Sequence, residues 1–199
     1  DAAYADSMPE QEFYRLYMTH NYHMLGFAAM MQGELQRAMD ISRQMLAAIP
    51  QSWLAVDENV AIVDGFYAMP CEVLMRFGRW EELLAEPLPD DRFPIAKTMC
   101  HFARAVAFGA TGKLAEARAE QETFRKSATK VSPEARFGNN KPADVFAVAA
   151  EVLEGELLLR EGKEEPGLAA LRSGGGCPES GFAPSAGPAR SRIRPGRSI

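Results

Sequence analysis

Two histidines three residues apart, His20 and His23, come nearest of any residues in this chain to a chemical site. On a helix, positions i and i+3 share a face. Two imidazoles so placed can chelate a metal ion or set a proton donor beside an acceptor. His101, next to Cys100, is a further weak candidate ligand. Chemistry asks for more than this. A zinc centre takes three or four protein ligands, and a working imidazole needs a carboxylate or carbonyl to orient it. No HExxH, GxSxG, P-loop or strand–GxGxxG–helix pattern accompanies the pair. The expectation is therefore histidines that pack or line a groove, with no catalytic residue, no resident metal and no cofactor.

The other groups that could bear chemistry have ordinary explanations too. Glu72 with Arg76, and Glu156 with Arg160, are spaced i,i+4 and can pair along one helix face. Left free, the two arginines would suit a partner's carboxylates. Cys71, Cys100 and Cys177 are far apart, odd in number and without a CxxC pair. They read as reduced packing thiols rather than a disulfide framework, which fits a cytoplasmic protein. The net charge of −5 argues against a general nucleic-acid binder, which needs a basic face. The longest apolar run, Met24 to Met31, falls well short of the roughly 20 residues that span a bilayer.

The elements that must position these residues come from an internal repeat. Four phrases, MQGELQRAMD, RFGRWEELLA, ATGKLAEARA and REGKEEPGLA, share a glycine between two apolar-periodic segments. With Gly33, Gly78, Gly112 and Gly162 aligned, the residues seven before are all small: Gly26, Cys71, Ala105 and Gly155. Four before stand Ala29, Leu74, Phe108 and Leu158, all apolar. Five after stand Ala38, Leu83, Ala117 and Gly167. Small residues on both helices of a hairpin let the backbones approach, and the glycine supplies the turn. One helix pair cannot bury its apolar face alone, so the pairs must stack.

On these residues the sequence resembles the tetratricopeptide repeat family. Tyr22, Leu25, Gly26, Ala29, Gly33, Ala38 and Pro50 fall where that family's motif places its aromatic, Leu, small, turn and closing positions. Ala105, Phe108, Gly112 and Ala117 keep part of the motif in a third repeat. The phrase HNYHMLGFAAMMQG, followed by Arg76-Phe77-Gly78-Arg79-Trp80, is similar to a bacterial subgroup with a His-Asn-x-His segment. The resemblance implies an all-α solenoid of antiparallel helix pairs wound into a right-handed superhelix. Its repeats would span about 19–50, 53–88, 95–130 and 143–172. First helices of such arrays line a concave groove for a partner. Carried over position by position, that groove comprises His20, His23, Phe27, Met30, Glu72, Arg76, Phe102, Val106, Glu156 and Arg160. The function so implied is a protein- or peptide-binding module without catalysis of its own. The alternatives are a His-based or metal-assisted enzyme on a helical scaffold, and a ligand-sensing regulatory array.

Helices are expected at about 12–32, 35–48, 53–77, 80–86, 95–110, 114–129, 143–161 and 164–172, with no sheet. Pro70 should kink or break the third of these. Gly138-Asn139-Asn140 marks a turn. Residues 173–199 are rich in Gly, Pro, Ser and Arg and read as a disordered tail, either a frameshifted end or a basic arm. Asp1-Ala2-Ala3-Tyr4 reads as the end of a helix already under way, so the chain is expected to be a fragment.

Overall fold

The computed structural model describes residues 12–175, and among these the regular structure is all helical. In chain order the α-helices are α1 (Glu12–Met31), α2 (Leu35–Ala48), α3 (Asp57–Val63), α4 (Met69–Arg76), α5 (Trp80–Ala85), α6 (Pro94–Ala110), α7 (Leu114–Ala128), α8 (Pro142–Arg160) and α9 (Glu164–Gly175). None of the described helices is long and apolar enough to cross a membrane. Most of the expected tail, 176–199, and residues 1–11 lie outside the described residues. Ser173 to Gly175, assigned to that tail on composition, instead close α9.

Four hairpins, α1–α2, α4–α5, α6–α7 and α8–α9, turn in the same way. Gly33, Gly78, Gly112 and Gly162 all have positive φ, between 64° and 78°. At each, the residue after the glycine donates its amide five positions back, to Ala29, Leu74, Phe108 and Leu158, at 2.9 Å. Each glycine amide donates to Met30, Met75, Gly109 or Leu159 at 3.1–3.2 Å. This paired pattern is the Schellman motif, which satisfies carbonyls that a helix end leaves orphaned. A side chain in place of these glycines would strain the left-handed backbone.

The small-residue columns do the work that their sizes dictate. Gly26, Cys71, Ala105 and Gly155 are buried, as are Ala38, Leu83, Ala117 and Gly167 across each hairpin. In the last hairpin backbone lies against backbone. A Cβ on Gly155 would lie 2.9 Å from the carbonyl oxygen of Gly167, and one on Gly167 3.1 Å from that of Gly155. Larger residues would force α8 and α9 apart. The hairpins then pack in sequence: α4 lies against α1, α2 and α6, and α6 against α8. Helix α6 contributes the most buried residues of the described helices, ten of its 17.

The stretch expected as one helix over 53–77 is broken. It divides into a 3-10 turn (Trp53–Ala55), α3, a second 3-10 turn (Asp64–Ala68) and α4. Pro70 sits in the first turn of α4, where its missing N–H costs nothing, so the break falls just before it. Asp64 stabilises the irregular segment. Its buried carboxylate accepts the Ile95 and Ala96 amides, both at 2.9 Å, and so caps the N-terminus of α6 from a distant part of the chain. Burial pushes this carboxyl up to about 6, against the opposing pull of the two amide donors.

Candidate functional site

A cleft of about 450 Å³ opens where α1, the second 3-10 turn, α4 and the loop before α8 meet. Helix α1 contributes His20, His23 and Met24, and α3 contributes Ile62. Gly65 and Phe66 come from the 3-10 turn, Glu72 from α4, and Arg136 to Asn139 from the loop. The loop is a tight turn: Phe137 and Asn140 exchange backbone hydrogen bonds at 3.0 and 3.1 Å, with Gly138 at φ 59°. Phe137 anchors it by laying its ring on Gly65. A Cβ there would come within 2.6 Å of that ring. Glycine at 65 therefore lets the loop close over the cleft.

The polar groups of the cleft are poorly matched to one another. Among the described residues the Glu72 carboxylate has no hydrogen-bond or ion-pair partner, although it is only partly accessible and enclosed by protein on most sides. Burial, uncompensated by any donor, pushes its pKa up to about 7. His23 packs its ring 5.4 Å from that of Phe66. Burial first, and then the neighbouring His20, hold His23 below the usual imidazole range. Arg136 is exposed and likewise has no anionic partner among the described residues. A neutral imidazole, a carboxyl that titrates near neutrality and a free guanidinium thus face one space walled by aromatic and aliphatic groups.

The residues expected to form one groove are divided by the structure. His20, His23 and Glu72 do come together in the cleft. Phe27 lies further along α1 and is half exposed at 50%. Met30 is half buried and packs against the core formed by α1, α2 and α4. Phe102 is not a groove residue. It is 8% exposed, with its ring 6.1 Å from Phe124 in the core of α6, α7 and α8. Val106, one turn on, packs against that same core. The apolar sequence pattern that placed both on a groove marks equally well the face that α6 turns to its neighbours.

Charge pairing also divides. Glu156 and Arg160 pair along α8 at 3.1 Å. Glu72 and Arg76 do not pair, because Glu72 turns into the cleft while Arg76 stays exposed on α4. His101 is buried on α6, with Nδ1 2.7 Å from Glu120, whose carboxylate also accepts Arg104 Nε at 3.2 Å. It stands in that network rather than beside His20 and His23. Among the described residues no three His, Cys, Asp or Glu side chains come together in a way that could hold a metal ion.

Sequence reasoning missed the loop. Arg136 and Phe137 precede a plain Gly-Asn-Asn turn signal, but nothing local says that Phe137 docks on Gly65. Comparison of the chain with protein-family models, with curated proteins and with solved structures finds no match.

Proposed function

We propose that the chain is a helical-repeat binding module of the tetratricopeptide type, and that the cleft at His20, His23 and Glu72 receives a peptide segment of a partner protein. The observation that carries this reading is the partnerless Glu72 carboxylate on the wall of an otherwise largely apolar cleft. A half-buried carboxylate without a donor is costly, and a ligand that brings a charge-assisted donor removes the cost. The occupant it favours is a basic side chain flanked by apolar residues, with Phe66, Phe137 and Met24 covering the apolar part. Arg136 can meet a carboxylate elsewhere on the same segment. The four matching hairpins support the family resemblance, and the cleft supports a contact surface at the α1–α4 end.

Selection from a random peptide library on the immobilised full chain tests this. Enriched peptides should carry Lys or Arg beside apolar residues. Their affinity should fall about tenfold or more with Glu72→Gln, as for loss of a charge-assisted bond. Absence of any consensus, or unchanged affinity in Glu72→Gln, His23→Ala and Phe137→Ala alike, would refute it.

A second reading is acid–base chemistry, favoured by His23 and Glu72 being displaced toward neutral forms in one cleft. Turnover of ester, amide or phosphodiester reporter substrates, lost in both His23→Ala and Glu72→Gln, would replace the binding reading with this one.

A further inference from the structure

The small-residue column has one member that differs in kind from the others. Where Gly26, Ala105 and Gly155 offer hydrogen or methyl, Cys71 on α4 offers sulfur. Cys100 on α6 meets it across the helix interface, with the two Sγ atoms 2.7 Å apart. Both are buried, 3% and 0% exposed, in a core otherwise made of Leu74, Leu83, Ala103 and Ala107. A disulfide bond is about 2.05 Å long, so roughly 0.6 Å remains to be closed. The packing that brings α4 against α6 has already oriented both sulfurs toward each other. We infer that Cys71 and Cys100 are a cystine-forming pair, joined by thiol–disulfide exchange with a small-molecule disulfide while the chain folds.

The chemistry balances with oxidised glutathione as the oxidant. The Cys71 thiolate attacks one glutathione sulfur, the glutathione S–S bond breaks, and one glutathione thiolate leaves. The Cys100 thiolate then attacks Cys71 Sγ of the mixed disulfide and expels the second glutathione thiolate. The two cysteines lose two electrons to glutathione, and their two protons end on the departing thiolates. Thiolate is the attacking species. In the finished fold both sulfurs are buried, and the contact with Cys71, burial, and the carboxylates of Glu72 and Glu86 hold Cys100 as the thiol, far above its usual range. Exchange therefore belongs to the folding chain, and the folded core then shields the product. The bond would tie α4 to α6 across the short helix α5 and the linker 86–93.

The test is to equilibrate the full chain carrying Cys177→Ser with reduced and oxidised glutathione, once by refolding it in the redox buffer and once in urea. Acid quenching, alkylation and mass spectrometry then give the disulfide equilibrium constant in each state. Because the fold aligns the sulfurs, the constant should be larger in the folded protein on the order of 100-fold. Peptide mapping should join Cys71 to Cys100. The oxidised protein should melt roughly 5–10 °C above the reduced one. A ratio under about 10, or full alkylation of both thiols in refolded protein at excess oxidised glutathione, overturns the inference. Cys71→Ser and Cys100→Ser, checked for helicity, should form no protein disulfide and show no rise in melting temperature in the oxidising buffer.

Discussion

The α1–α4 cleft and the α7–α8 face use the same residue type in opposite ways. On the α7–α8 face, Glu154 accepts Arg118 at 2.7 Å, Gln121 at 2.8 Å and Arg125 at 3.3 Å. Burial works against its ionisation, but Gln121 and the two arginines outweigh it and hold the carboxyl below its usual range. Nearby Glu161 is lowered to about 2, chiefly by its bonds to Arg118 and Lys163. In the cleft, Glu72 has no such donor and moves the other way, to about 7. Paired acids fasten helix to helix. An unpaired acid in a partly enclosed space weakens the fold unless something else uses it.

Removing the paired acid should have the largest effect. Glu154→Ala strips a partner from two arginines and from the buried amide of Gln121. A loss of roughly 1–3 kcal/mol by urea denaturation at pH 7 is expected. Removing the unpaired acid should do the reverse. The folded-state pKa of Glu72 lies above its unfolded value, so the native state holds the proton more tightly. Stability therefore falls as pH rises from about 4.5 to about 7. Glu72→Gln should be more stable than the parent by about 1–2 kcal/mol at pH 8, and the difference should vanish by pH 4. A variant that is destabilised at pH 8 would mean that Glu72 has a favourable partner after all. The smallest effect is the sharpest: double-mutant cycles should give about 0.3–0.5 kcal/mol of coupling for Glu156–Arg160 and none for Glu72–Arg76.

What the sequence makes legible here follows how local each signal is. The turn glycines and small columns are readable because a Schellman turn spans six residues and imposes the same demands each time. His20 and His23 share a face by helical periodicity, and they do line the cleft. Pro70 announces a break, but the 3-10 turn before it depends on Asp64 reaching the distant α6 N-terminus. Phe102 is misplaced because an apolar position on a helix can face a groove or a neighbour, and periodicity does not choose. The loop at residues 136–139 is illegible for a related reason: its docking depends on Gly65, in the 3-10 turn before α4.

The recurrence of one turn four times bears on how the chain reaches its fold. Each Schellman turn closes with bonds between residues at most five apart, so a hairpin can begin wherever its own glycine lies. Contacts of this kind incur little loop-closure entropy and favour fast assembly. No single nucleus is required: hairpins started at different points need only dock on their neighbours, as a row of dominoes may be set upright in any order.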